Sequence, residues 1–387
     1  MAREYGTGGF FRRYLGFFIT GIVSLILIAA LLFTQYRLSG ALDSQLAAER
    51  WGTDSENGAA QLSIFYANGL GLYEEEIYSL RSAIDTELTK NSITAPNKDA
   101  RLWYDAYSAE TTVTVSTERA NVEVAVTAVG GDYFRIHPLP LKSGYYFSDS
   151  DLNADRIVID TVAAWQLFGA VDVASMMVTI EDRPYLIAGV VAPEEDRWNG
   201  AVYGNLPRIY MDCSAFGDDM KLNMTCYEAV LPNPVTGFGE KILTESAGTE
   251  NARCLVVENS ARFSFAALWK LVAHFAESRV VKVPVIYPYW ESAARILEAQ
   301  TAFVQTAWCV LCLIPAVELV LLAVWLWKHR RFHFSDIPEL YENITEKLRA
   351  RPRKSPKRPK RPFKRRKTPK SGVLSEGSES ESEKINI

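Results

Sequence analysis

The sequence predicts an α+β domain inserted between two transmembrane helices. Two long apolar runs, one near each end of the 387-residue chain, predict the spans. Short strand and helix patterns interleaved between them predict mixed sheets with helices. A jump in charge across the second run sets the sides.

Tyr14 to Tyr36 contain no Asp, Glu, Lys or Arg. At about 1.5 Å per residue the run reaches ~34 Å as a helix, enough for a hydrocarbon core of about 30 Å. Arg12 and Arg13 would also suit a signal peptide. The run exceeds an ordinary h-region, however, and no A-x-A site follows it, so an uncleaved anchor is expected. Thr301 to Trp327 is apolar apart from Gln305, Glu318 and a few hydroxyls, and ~40 Å of helix there has to tilt or protrude. Glu318 follows Pro315 by three positions. A carboxylate at membrane depth normally faces a partner, so a contact with another transmembrane helix is expected, with a snorkelling side chain of no role as the alternative. Pro315 removes a helix hydrogen bond and is expected to kink the span nearby.

Basic residues flank both spans on the terminal sides: Arg3, Arg12 and Arg13 before the first, Lys328, Arg330 and Arg331 after the second. Basic residues close to spans stay inside, so residues 1–13 and 328–387 are expected in the cytoplasm and 37–300 outside, at the plasma membrane. The outer segment holds 21 Lys plus Arg and 36 Asp plus Glu, a net charge of −15, whereas residues 328–370 hold 17 basic and 4 acidic side chains. The tail from Arg349 alternates basic residues with proline and cannot form a core. Lys328, Arg330, Arg331 and the run Lys364, Arg365, Arg366 and Lys367 suit anionic lipid headgroups at about 1 kcal/mol per residue near the surface. A nucleic-acid partner is not expected.

Past the first span, Leu38, Leu42 and Leu46 continue a helical repeat; before the second, residues 288–300 (PYWESAARILEAQ) do the same, with Pro288 in the first turn. The spans are thus expected to extend outward as stalks, or else to end in amphipathic helices packed on the domain. Residues 72–90 predict a helix buried along Leu72, Ile77, Leu80, Ile84 and Leu88. Strands are predicted at 102–107, 112–116, 122–129, 157–159, 209–211, 227–231 and 254–258. A helix is predicted at 161–168, stopped by Gly169, and another at 262–278. Between them Met177–Ile180 and Tyr185–Val191 flank a charged turn, a hairpin signal.

Cys213, Cys226 and Cys254 fall in the outer segment, an odd number that defines no disulfide framework. A Cys213–Cys226 bridge is one reading and buried free thiols the other. Cys309 and Cys312 read as small packing residues of the second span. The sequence shows no P-loop, no H-E-x-x-H and no G-x-S-x-G, so no enzyme activity and no cofactor or metal is expected. Acidic clusters such as Glu194–Glu195–Asp196 read as a solvated face.

Within 130–193 the order of elements resembles the MacB-like, or FtsX-like, ABC transporter permeases. Asp132–Tyr133–Phe134 follow a strand, and Gly144 with Phe147 form the next element. A helix then ends in Leu167–Phe168–Gly169, and a strand pair closes on Gly189–Val190. The resemblance implies a MacB-like periplasmic core between the spans, engaging extracytoplasmic partners or cargo and responding to a separate ABC ATPase. Family members usually carry four spans, so two imply a shortened, permease-like subunit working beside a fuller permease. The competing expectation is a two-span surface sensor or interaction protein reusing such a domain.

Overall fold

The computed structural model describes residues 7–52, 58–67, 69–95, 97, 100–148, 154–216, 222–248, 254–275 and 284–328. The basic residues Arg330, Arg331 and Lys364 to Lys367 lie outside the described residues. The chain divides into two compact units, Met1–Leu322 and Ala323–Ile387. Of the second, only the helical Ala323–Lys328 are described.

Helix α1 (Thr7–Ser39) leads through a 3-10 turn (Asp43–Gln45) into α2 (Ala47–Gly52) and strand β1 (Ala59–Tyr66). Next come α3 (Glu74–Lys90), β2 (Tyr104–Ser116), β3 (Asn121–Gly131), the single turn α4 (Tyr133–Ile136) and β4 (Leu141–Gly144). β5 (Arg156–Asp160), α5 (Thr161–Phe168), β6 (Met177–Ile180), β7 (Arg183–Val191), α6 (Asn199–Val202) and β8 (Arg208–Asp212) follow. β9 (Cys226–Pro232), α7 (Phe238–Ala247), β10 (Cys254–Glu258) and α8 (Phe265–Ala273) complete the lobe. Last are α9 (Tyr289–Leu311) and α10 (Leu313–Lys328).

One sheet runs β10-β1-β9-β2-β3-β8-β5-β7-β4. β6 pairs with both β7 and β2, so β2, β3, β8, β5, β7 and β6 close into a ring. Thirteen residues long, β2 serves both parts: Tyr104–Ser108 pair with β9, and Val115 reaches Ile180 of β6. The two separate strands expected at 102–107 and 112–116 are therefore one. The ring is filled by β-branched side chains at alternate positions, among them Val113, Val115, Val124, Val126, Ile157, Ile159 and Ile209. Leu167, Ala163 and Ala164 of α5 join that core. Asp160 caps α5 by accepting from the Ala163 N–H at 2.6 Å, and Gly169 ends it at φ 71°. In the β6–β7 turn Glu181 and Asp182 both have positive φ, 48° and 63°. That is the two-residue turn whose twist matches its strands.

On the β10-β1-β9-β2 side, α3 and α7 cover one face. Ile77, Leu80, Ile84 and Leu88 meet Leu62, Ile64, Tyr227 and Leu231, and the helix begins at Glu74, two residues later than the apolar pattern. β1 lacks a sequence forecast because buried Gln61 and Ser63 interrupt its apolar residues. Both are satisfied: Gln61 accepts from Ala47 N and donates to Ser44 O, and Ser63 donates to Glu228.

Two helical segments are long and apolar enough to cross a membrane, Leu15–Ser39 and Tyr289–Lys328. The first does not continue as a stalk. α1 stops at Ser39, and Leu42 turns in to pack on Ala293, Ala294 and Leu297. In the second, α9 runs from its buried first turn in the lobe to Leu311 within the apolar segment as one helix. Gln35 faces Gln305 and Thr20 faces Glu318, so the pair is antiparallel. Pro315 cannot donate to Leu311, and the helix is divided at Cys312.

Gly144 has φ 76°, and a Cβ there would run into the Ala188 carbonyl of β7. Gly144→Ala is therefore expected to cost about 3 kcal/mol. Gly169→Ala, in open space at φ 71°, is expected to cost about 1 kcal/mol. Denaturant unfolding of the two variants of the full chain reads the difference.

Candidate functional site at the junction of lobe and helices

The first turn of α9 is built into the lobe. Pro288 precedes it with φ −59°, pre-set for helix entry. Tyr289, Trp290 and Glu291 are then all buried, although they begin a helix that runs into the apolar segment. Each enters a different set of partners.

Tyr289 donates to Glu194 at 2.6 Å and shares a 3.1 Å hydrogen bond with Tyr210 of β8. The Arg208 guanidinium lies 4.3 Å from its ring centroid and holds Glu110 at 2.7 Å and Thr127 at 2.8 Å. Burial drives the Tyr210 and Tyr289 hydroxyls well above their ordinary pKa, so they stay neutral donors. Burial also raises the Glu194 pKa, against the Tyr289 hydrogen bond that lowers it. For Arg208, burial works most strongly against the charge, but Glu110 and the tyrosines around it together outweigh the burial, and the pKa stays above the ordinary value. Glu194 is thus not part of a solvated face. The loop turns inward here because Asp196 accepts from the Trp198 and Asn199 backbone N–H groups, and Trp198 donates to Gln300 of α9 at 2.9 Å.

Trp290 lies 4.7 Å from His137 and 5.8 Å from Tyr133, centroid to centroid. His137 is hydrogen-bonded to buried Glu228 of β9. Glu291 takes two hydrogen bonds from Arg262, at 2.8 and 2.7 Å, and one from Arg295 at 2.7 Å. Arg262 also reaches Gln45 at 3.2 Å, which ties the segment after α1 and the segment after β10 to one turn of helix.

Farther down, Gln35 donates to Gln305 at 3.0 Å and accepts from the Trp308 indole at 2.6 Å. Glu318 accepts from Thr20 at 2.5 Å, against Gly21, where any Cβ would collide with it. Buried Gly21, Ser24 and Ile28, spaced three and four apart, form the seam of α1.

A cleft of about 740 Å³ is lined by Arg81, Asp85, Arg101, Asp105, Asp132 and Arg135, among others. Its charges hold one another. Arg81 pairs with Asp105 at 2.6 Å, Arg101 with Asp132 at 2.6 Å, Arg135 with Asp132 at 3.3 Å, and Trp103 donates to Asp85. Burial opposes the Arg81 charge most strongly, yet the hydrogen bonds and the charge of Asp105 together prevail and keep its pKa above the ordinary range. Such pairs order β2, β3 and α3.

The residues singled out from sequence separate into three groups. Tyr133, Phe134 and Phe147 meet at the junction: Tyr133 stacks on His137 at 4.7 Å, and Phe134 lies 5.2 Å from Phe147. Leu167 and Val190 fill the ring, with Phe168 half-buried beside them. Gly144, Gly169 and Gly189 serve backbone turns and the close β4–β7 approach, and Asp132 anchors the two arginines. Cys213 and Cys226 are free thiols. Cys226 sits in the cluster with Phe65 and Trp290, whereas Cys213 packs on the cluster across the sheet. Burial pushes the Cys226 thiol well above its ordinary pKa. Sequence reasoning missed Tyr289, Trp290, Glu291 and Arg262. The one available signal was an aromatic pair and a carboxylate directly after a helix-starting proline.

A mixed α+β lobe with an apolar helix at either end defines a membrane-anchored protein with its folded part off the bilayer. Residues 20–235 match the MacB-like periplasmic core domain, and the chain belongs to that family. The extracellular domain of the noncanonic ABC-type transporter YknZ from Gram-positive bacteria is 16% identical over 51% of this chain and 99% of that one, with a TM-score of 0.36. The periplasmic region of MacB from Actinobacillus actinomycetemcomitans is 15% identical over 59% and 95%, with a TM-score of 0.39. No curated protein sequence matches the chain.

Glu291→Ala leaves the buried Arg262 charge with only the longer contact to Glu298, 3.9 Å away, and is expected to cost about 3 kcal/mol, while Arg262→Met with Glu291→Leu together should recover part of it. A double-mutant cycle in denaturant measures this.

Glu194 gives a pH dependence. Its native pKa is raised, so the burial cost is absent below the ordinary carboxyl pKa of about 4.3 and grows as pH rises through the native value. Stability falls across that window, with Asp160 and Glu298 acting in the same direction. Glu194→Gln keeps an acceptor for Tyr289 and should flatten the decline in unfolding free energy as pH rises above about 4.3.

Proposed function

We propose that this chain is a non-enzymatic, permease-like subunit of an ABC-type export or mechanotransmission complex, whose lobe engages an extracytoplasmic partner or cargo. One observation carries the reading. The 23 residues of α9 form one helix whose first turn is part of the lobe core and whose lower part is hydrogen-bonded to α1. A helix of that length is a rod of ~35 Å. A shift of the helix pair in the bilayer is therefore delivered to Tyr210, Tyr133 and Arg262 rather than absorbed in a linker.

The sequence contains no G-x-x-x-x-G-K-[ST], which fits an ATPase supplied by another subunit. Basic flanks and the −15 charge of residues 37–300 support a lobe outside the cell with both termini in the cytoplasm. The basic tail then lies against anionic headgroups.

Affinity-tagged full-length chain extracted in mild detergent is expected to bring down an ATPase or a larger permease. A clean monomer across several detergents overturns the proposal. Protease added to intact cells should cut within residues 37–300 and spare the tail; the opposite pattern inverts the topology.

A further inference from the structure

We propose that α8 is an interfacial helix, lying in the outer headgroup layer with its aromatic face in the acyl boundary. The proposal rests on the reading that α1 and α9–α10 cross the bilayer.

Position comes first. Ser264 caps α8 by accepting from Ala267 N at 3.3 Å, and buried Leu268 is its inward anchor. The helix then sits on α9 at a defined height. Gln305 donates to the Phe265 carbonyl at 3.0 Å, and the Phe265 ring lies 6.0 Å from Trp308. Gln305 and Trp308 are also the residues bonded to Gln35 of α1. This polar layer stands where the uncharged runs of both spans meet the lobe, at the depth expected for an aromatic belt.

The outward face is the second observation. Phe265 is 55% exposed and Trp269 49%. Phe265 and Trp269, one helical turn apart, stack at 6.2 Å into a single apolar surface. Phe303 of α9, 75% exposed, lies within the apolar run of the second span. Exposed Lys270 stands next to Trp269, placed to reach phosphate while its stem covers apolar surface. Aromatic side chains facing one way, a lysine beside them and a helix fixed at the edge of a span make up the pattern of a helix that lies on a membrane. The Phe265 ring meets the second span at Trp308, 6.0 Å away, so the lipid that covers the spans reaches α8 as well.

The consequence is mechanical. With α8 seated in lipid, the lobe is held to the bilayer surface at a third point besides α1 and α9, and its tilt follows the bilayer surface.

The test uses the full-length chain in vesicles of phosphatidylethanolamine and phosphatidylglycerol. Photoreactive p-benzoylphenylalanine replaces, one at a time, Trp269, Phe303 as the reference within the span, and Trp165 as an exposed aromatic of the lobe; all three are surface positions, so folding is retained. Illumination is expected to give lipid adducts by mass at 303 and 269, each roughly tenfold above the yield at 165. Adducts at 303 with none at 269 overturn the proposal and leave the spans standing. No adduct at 303 overturns the spans and the proposal with them. A crosslink from 269 to a second copy or to another protein makes the face a protein interface and likewise overturns it.

Discussion

The structure turns on the buried contact between Arg262 and Glu291 in the first turn of α9. The two side chains are 3% and 1% exposed, and buried ion pairs of this kind add little net stability because desolvation consumes the Coulomb gain. What the pair adds is direction. A carboxylate gripped by both Nη2 bonds of one arginine and by Arg295 from the next turn has one acceptable rotation about the helix axis. Once that rotation is set, Tyr289 points to Glu194 and Tyr210, and Trp290 points to Tyr133 and His137. The pair thus decides which face of a 23-residue helix the lobe sees.

From that turn the contacts run into the strands. Tyr133 opens α4, two residues after β3 ends, and Tyr210 lies within β8, which pairs in parallel with β3. β3 in turn pairs along its whole length with β2, the strand common to the ring and to the β9 side. Close-packed interiors transmit small displacements rather than absorb them. The ring and the helix-covered sheet are therefore not two bodies on a hinge; they share β2, and Ala106 of β2 and Val129 of β3 pack in the cluster that holds Tyr289 and Trp290.

Local patterns carried much of this fold in the sequence. The apolar runs, the period of Ile77, Leu80, Ile84 and Leu88, and the helix ended by Gly169 depend on neighbours a few residues away. β1 was not legible because Gln61 and Ser63 look solvent-facing until Ser44, Ala47 and Glu228 arrive from elsewhere in the chain. Glu194 reads as one of three consecutive acids until Tyr289, 95 residues on, donates to it. Closure of the ring through Val115 and Ile180 is likewise a long-range pairing that no local spacing announces. The junction was hidden for the same reason: Arg262 and Glu291 are ordinary charged residues in one dimension, and only the fold removes both from water.

The apolar helices face a different physical problem. Between helices in lipid there is no hydrophobic drive, so close approach of small residues and a few hydrogen bonds must hold them. α1 supplies Gly21 and Ser24 for the approach, and Gln35 with Gln305 and Thr20 with Glu318 supply bonds at two levels. Between those levels the second helix is divided at Cys312, where Pro315 withholds the bond to Leu311. α9 above the division is locked to the lobe, whereas α10 below it meets α1 through Glu318. The backbone bonds Cys312 N–H to Trp308 O and Ala316 N–H to Cys312 O carry the helix past the division, so the bond that Pro315 withholds is bracketed by two that are kept.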